Sequence, residues 1–267
     1  ESNNKNYCTP DSLCPENDYK LLIPQKNQCI DNCTKDPEFQ YEFRRTCYEE
    51  CPHDLSVIST TKPFYCEAIC PKEKPFEIIE TQNCVDVCSI SEREKGLCKI
   101  NYQPKEGEVN EEVNKEMEEK AVENIKEELT KDFDTTDVDS GKNVVIKQKD
   151  STITISTTEN QKNDKSSNIS TIDLGECENK IKLAYDIPLN KSLYILKVDV
   201  KQPGLKIPKI LYEVYYPLFD NSLIKLNLTA CENQTIDLSI PVTLTDEIDK
   251  INSSSNYYND ICYTYTS

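Results

Sequence analysis

Cysteines carry most of the reactive chemistry in this chain, and they are regularly spaced. Cys-x-x-x-Cys occurs four times, as Cys29/Cys33, Cys47/Cys51, Cys66/Cys70 and Cys84/Cys88, with a period of 18 or 19 residues. Three chemistries could use such units. Structural zinc takes four ligands, usually Cys-x-x-Cys knuckles in pairs or with added histidines, and the one histidine is His53. Thiol redox enzymes set a single Cys-x-x-Cys at a helix start in an alternating strand and helix pattern, which is not visible here. A disulfide scaffold remains, as expected of a secreted or surface chain.

Spacing does not prove a connectivity. Joining the second cysteine of each unit to the first of the next gives Cys14–Cys29, Cys33–Cys47, Cys51–Cys66, Cys70–Cys84 and the shorter Cys88–Cys98. The first four loops then have nearly equal lengths. Most hold a short apolar or aromatic run before the closing cysteine (YKLLIP, FQYEF, KPFY, KPFEII), which suits a small hairpin per loop. Pro15, Pro52 and Pro71 follow the second cysteine of a unit, where a fixed φ aims the chain into the next loop. A stack of such loops, each touching mainly its neighbours, is expected to form a rod. Cys177 and Cys231 are the expected staple of the C-terminal part, leaving Cys8 and Cys262 unassigned. For Cys8 the partners open are Cys14 in another register, a residue upstream of Glu1, or another chain.

Other reactive constellations are weaker. A Ser-His-Asp or Cys-His arrangement would have to use His53, inside the ladder beside Cys51 and Pro52, where no pocket is expected. The five glycines, Gly96, Gly107, Gly141, Gly175 and Gly204, are too scattered for GxGxxG or a P-loop. Glycoside hydrolysis needs a buried carboxyl of raised pKa, and the sequence locates none. DFDTTDVDSGK, residues 132–142, fails as a calcium loop: from Asp132, position six is Asp137 and position twelve is Asn143. The expectation is no catalytic residue, no metal and no cofactor.

The elements that position these residues follow from periodicity. Val113, Met117, Ala121, Val122, Ile125, Leu129 and Phe133 form one stripe between glutamates and lysines, an amphipathic helix of about six turns. Residues 103–140 hold 14 Asp and Glu against 5 Lys, much of the net charge of −17. That charge argues against nucleic acid as a partner. After residue 142 the period becomes two, in STITIS (151–156), SLYILKVDV (192–200), KILYEVYY (209–216), SLIKLNLTA (222–230) and TIDLSIPVTLT (235–245). GECENKIKLAY (175–185) reads as a short helix, and TENQKNDKSSN (158–168) as a hydrated loop. The fold expected is mainly β: disulfide-rich small repeats forming a rod (1–102), an acidic amphipathic helix and linker (103–141), and an antiparallel β-sandwich or barrel module (142–267). No apolar run approaches the roughly 20 residues that span a bilayer.

Six Asn-x-Ser/Thr sequons occur, at Asn32, Asn168, Asn190, Asn227, Asn233 and Asn252. In a chain this rich in Asn, Ser and Thr the number itself says little. If the chain is secreted they become glycan acceptors wherever they are exposed, with Asn227 and Asn233 at strand edges and Asn32 crowded between Cys29 and Cys33. The sequence opens at Glu1 without a methionine or an apolar leader, so it is expected to start after a signal cleavage site or inside a longer protein.

The strings IDLGECENKIK (172–182), KIPKILYEVYYPL (206–218), KLNLTACENQTIDLSIPV (225–242) and NSSSNYYNDICYTYTS (252–267) are familiar together. They resemble a module of large cysteine-rich surface proteins of unicellular eukaryotes, in which EGF-like or furin-like repeats precede it. The resemblance covers residues 142–267; the repeats share only generic cysteine spacing. It implies a protist surface protein of modular build with no assigned chemistry. Similar proteins continue past NDICYTYTS with further cysteines, so Cys262 is expected to find its partner in a continuation or elsewhere.

The function expected is that of a secreted or cell-surface glycoprotein, non-enzymatic, a building block of an extracellular filament, stalk or coat. Its partners would be copies of itself or other surface proteins, with glycans attached covalently, and no membrane span lies in this segment. One alternative is an adhesin or receptor ectodomain binding a protein or glycan through the ladder or through Tyr212, Tyr215 and Tyr216. A remote one is a secreted hydrolase.

Overall fold

Runs of three residues between turn formers can pair only as minimal hairpins, and that is how the N-terminal third folds. The structure, a computed structural model, describes residues 14, 18–104, 108–164, 169–203, 205, 207–217 and 222–241. The strands are β1 (Leu21–Ile23), β2 (Gln28–Ile30), β3 (Tyr41–Phe43), β4 (Thr46–Tyr48), β5 (Ser56–Ile58), β6 (Cys66–Ala68), β7 (Phe76–Ile78) and β8 (Asn83–Val85). Helix α1 (Ile90–Glu94) and β9 (Cys98–Ile100) follow. Antiparallel hairpins β1/β2, β3/β4, β5/β6 and β7/β8 repeat four times, and β9 adds to the free side of β7. With so few glycines, the turns put other residues at positive φ: Asn27 at 46°, Arg44 at 48°, Arg45 at 59°, Phe64 at 56° and Gln82 at 53°. Each such non-glycine turn costs on the order of 1 kcal/mol, so something outside the turn must hold it.

Neighbouring hairpins meet through few bonds. Strand β1 runs parallel to β4, with the Leu22 amide donating to the Arg45 carbonyl at 2.9 Å. Glu42 bridges to Tyr65 and Cys70 to Tyr102 in the same parallel sense. The longest reach belongs to Gln82, buried in the fourth loop. Its Oε1 accepts from the Arg44 amide at 2.8 Å and its Nε2 donates to the Cys66 carbonyl at 2.7 Å, while Arg44 Nε donates to its carbonyl. Apolar contact comes in small clusters: Leu21, Ile23, Phe39 with Cys33 and Cys47; Phe43, Ala68 with Cys51 and Cys66; Phe76, Ala121 with Cys88 and Cys98.

Helix α2 (Asn110–Lys131) buries Val113, Met117, Ala121, Ile125 and Leu129 along one stripe. The chain divides into two compact units between Ala121 and Val122, inside this helix, so residues 103–141 are shared between the units. In the first unit Met117 and Val113 pack with Tyr102, and Glu116 pairs with Lys72 at 2.8 Å.

The second unit adds α3 (Thr136–Asp139), β10 (Val144–Lys147), β11 (Ser151–Thr157), α4 (Thr158–Asn163), β12 (Thr171–Asp173), α5 (Glu176–Ala184), β13 (Tyr194–Val200), β14 (Lys209–Pro217), β15 (Leu223–Lys225) and β16 (Asp237–Ser239). Five strands make one antiparallel sheet in the order β10-β11-β13-β14-β15, open at both ends, so among the described residues it is not a closed barrel. Strands β12 and β16 form a separate two-stranded ribbon. One face of the sheet carries Leu193, Ile195 and Val214 into a cluster with Ile172, Leu174, Cys177 and Ile181 from the ribbon and α5. The other face meets α3 and the end of α2, where Tyr194 Oη donates to Asp139 at 2.6 Å and Lys126 pairs with Glu213 at 2.9 Å.

Three readings need correction. Residues 158–163 are helical rather than loop, because Thr157 Oγ1 accepts from the Asn160 amide as an N-cap and Thr158 and Gln161 are buried. The strand read over 222–230 stops at Lys225, since Asn227 Oδ1 takes the Thr229 amide and starts a 3₁₀ turn at Leu228–Cys231. In TIDLSIPVTLT only Asp237–Ser239 is strand among the described residues, and Leu238 is exposed while Ile236 packs on the core.

Gln82→Ala removes both amide bonds between loops and leaves the Arg44 N–H without its acceptor. The expected cost is about 2 kcal/mol, read as a lower urea midpoint under non-reducing conditions with unchanged disulfides by intact mass. An unchanged midpoint would deny Gln82 this role.

Candidate functional site: cross-links, sequons and buried charges

The hairpins place the cysteines. Cys29, Cys47 and Cys84 sit at the middle of β2, β4 and β8, while Cys66 and Cys98 open β6 and β9. The opening cysteine of each of the first four loops precedes its hairpin, Cys33 starting a 3₁₀ turn. Sulfur bonds join Cys14 to Cys29, Cys33 to Cys47, Cys51 to Cys66, Cys70 to Cys84 and Cys88 to Cys98. In the first four the Cα atoms are 5.5–5.7 Å apart. A sixth bond, Cys177–Cys231, ties α5 to the 3₁₀ turn after β15 across 54 residues of sequence. Nine of these twelve cysteines are buried, all but Cys14, Cys84 and Cys231, and most pack in the apolar clusters as side chains of the core. Cys8 and Cys262 lie outside the described residues. Six disulfides mark a chain that folds in an oxidising environment.

The sequons divide by local geometry. Asn32 is exposed although it stands between two half-cystines. Its Oδ1 accepts from the Thr34 amide at 3.0 Å and from the Thr34 hydroxyl at 2.8 Å, so the acceptor side chain is held over its own threonine. Asn227 is held the same way by the Thr229 amide at 2.9 Å, and its own amide donates to Tyr185 Oη. Asn190 and Asn233 are exposed, the latter at a φ of 64° just past Cys231. Asn227 and Asn233 thus flank a turn rather than a strand edge. Asn168 and Asn252 lie outside the described residues.

The sequence reading missed three clusters of paired charge in the second unit, those of Lys197 and Glu178 with buried centres and that of Glu213 half-buried. Lys197 Nζ, fully buried on central strand β13, donates to Ser170 Oγ at 2.5 Å and to Asp199 Oδ2 at 2.7 Å. Ser170 in turn donates to Asp199 Oδ1 at 2.7 Å, so its proton is directed at the carboxylate and not at the amine. Burial pushes the Lys197 ammonium down, and Asp199 only partly restores it. Glu178 accepts from Thr158 and binds Lys182 at 2.6 Å and Lys162 at 3.0 Å. Glu213 collects Lys126, Lys225 and Tyr215. Burial raises its carboxyl, but the bonds from Lys225, Tyr215 and Lys126 outweigh that and hold it down at about 2. Tyr194 is pushed up to about 12 by burial and by Asp139. A signal did exist: Lys197 and Asp199, two apart in YILKVDV, must share the face of Ile195, which a solvated strand would not need.

A cavity of about 210 Å³ opens beside Ser170 and Asp199, floored by Ser151 and Thr152 and walled by Pro208 and Pro241. A larger, more open groove of about 480 Å³ runs along Tyr212, Glu213 and Lys225. Of the tyrosines marked for recognition, Tyr215 is buried and donates to Glu213, while Tyr212 and Tyr216 pack on the core. His53 is exposed and faces Glu50 at 3.5 Å. Among the described residues no group of three or more His, Cys, Asp or Glu is placed to hold a metal ion, and no helix is long and apolar enough to cross a membrane. Comparison of the chain with protein-family models, curated proteins and solved structures returned no match to any of them.

Because the folded Glu213 carboxyl titrates far below an ordinary one, its stabilising effect is complete above about pH 4.5 and is lost as pH falls toward about 2. Glu213→Gln should therefore flatten the loss of thermal stability between those pH values relative to wild type, measured by melting temperature against pH. Identical slopes in the two proteins would contradict the assignment.

Proposed function

We propose that the chain is a secreted or cell-surface glycoprotein serving as a non-enzymatic building block of an extracellular filament, stalk or coat. The observation that carries this reading is the run of near-equal disulfide loops, each closing one hairpin. Such a chain commits its cysteines to form. The exposed Asn32, Asn190, Asn227 and Asn233 then act as glycan acceptors that hydrate the surface. The resemblance of residues 142–267 to modules of protist surface proteins fits the same location, and the β12–β16 ribbon stands as the second layer of a sandwich-like module. Copies of the chain, or other surface proteins, are its partners. Cys8 and Cys262, where they meet a second chain, add covalent joints.

The adhesin reading has one observation in its favour. Leu55, Val57, Ile58 and Phe64, all in the third loop, are each exposed, and apolar side chains left in water are available to a partner. A hydrolase is the remoter reading: Ser170, the hydroxyl nearest a lysine amine, spends its proton on Asp199.

Expression through a secretory pathway followed by sedimentation and electron microscopy separates these readings. A building block yields head-to-tail assemblies, a mobility shift on enzymatic deglycosylation, and peptides linking Cys8 or Cys262 between chains. A strictly monomeric chain that binds cells or glycan arrays would replace this account with the adhesin.

A further inference from the structure

We infer that the first unit is a tension strap: its disulfides form a covalent path that cuts across the enclosed loops, so a pulled chain runs out of slack early. The path can be traced residue by residue. From Cys14 it crosses to Cys29, follows four residue steps to Cys33, crosses to Cys47, and continues through Cys51, Cys66, Cys70, Cys84 and Cys88 to Cys98. The loops left out are 15, 14, 15, 14 and 10 residues long. The bonds themselves span Cα–Cα distances of 5.7, 5.5, 5.6, 5.5 and 6.4 Å. Each four-step crossing stretches to at most about 14 Å, so the whole path ends at about 85 Å, against about 290 Å for the same segment without its bonds.

The joints that yield before this limit are the few hydrogen bonds between hairpins. They include Leu22 to Arg45, Glu42 to Phe64, Cys70 to Asn101, Arg44 Nε to the Gln82 carbonyl, Asn101 Nδ2 to the Ala68 carbonyl and the two amide bonds of Gln82. Once these open, further load falls on covalent bonds. Within the hairpins, β1, β3, β5 and β7 lie inside loops off the path and carry none of it, while β2, β4, β6 and β8 hold the path cysteines. When load is released the hairpins re-form by local closure, a microsecond event, with no long-range search. A domain without such bonds gives up every residue at about 3.5 Å each and must refold as a whole. The strap belongs to a single chain and stands whether or not copies assemble, so it goes beyond the building-block reading.

The test is single-molecule pulling on the full chain, with handles at its N-terminus and at the exposed Gln103, which follows the last ladder cysteine. The contour length between handles is expected to grow by about 200 Å when a phosphine reductant is added. The double variant Cys51→Ser, Cys66→Ser should lengthen the oxidised contour by about 45 Å and leave the other four bonds in the path. Equal oxidised and reduced contours would overturn the strap, as would extension steps without reductant longer than the crossings supply. Should the double variant fail to fold, the wild-type comparison alone decides. Assemblies seen together with equal contours would remove the strap and leave the building block standing; monomers with the long reductive gain would do the reverse.

Discussion

Closing short loops with sulfur is the constraint on which the first unit depends. Ordering a residue costs roughly 1–2 kcal/mol of backbone entropy, and none of the first four loops buries more than two large apolar side chains to set against it. A bond closing about 15 residues contributes roughly 3 kcal/mol by restricting the unfolded chain. It also supplies apolar volume: Cys33, Cys47, Cys51 and Cys66 are buried beside Phe39, Phe43 and Ala68. The positive φ values at Arg44, Arg45 and Gln82 follow from this, because a closed loop leaves the turn few other ways to bring the strand ends together.

The second unit solves the same problem by other means. A five-stranded sheet offers two faces, and both are covered, one by α3 and the end of α2, the other by α5 and the β12–β16 ribbon. A central strand with both faces covered has nowhere to send a polar side chain. Lys197 and Asp199 therefore neutralise each other, with Ser170 taking up the remaining acceptor. Glu178 and Glu213 are handled alike, each surrounded by two lysines and a hydroxyl. Removing one partner of such a set leaves a buried charge uncompensated, so these groups specify the packing more than they strengthen it. One long-range disulfide, Cys177–Cys231, suffices here because the sheet supplies the rest.

These two solutions suit different tasks. A ladder of closed loops resists extension and shrugs off local unfolding, since no loop can be lost to its neighbour. A sheet with charged pairs inside and, among the described residues, β10 and β15 as its end strands offers shape and edges.

Much of the fold was legible in local pattern. The 18–19 residue cysteine period, the four-residue stripe from Val113 to Phe133, and the alternation in STITIS and SLYILKVDV each correspond to an element of the structure, because each element pays its cost with neighbours close in sequence. What pattern could not show depends on residues far apart. Helix α4 looked like a polar loop because its reason to form, Gln161 under the Ile172 amide and Thr158 against Glu178, comes from residues 11 and 20 positions away. Gln82 is an ordinary turn residue until Arg44 and Cys66 approach it. The open ends of the sheet, the sharing of α2 between two units and the burial of Lys197 were likewise set only by tertiary contact. The physical reason is common to all: sequence periodicity reports which side of an element faces inward, and only the assembled structure decides what is waiting there.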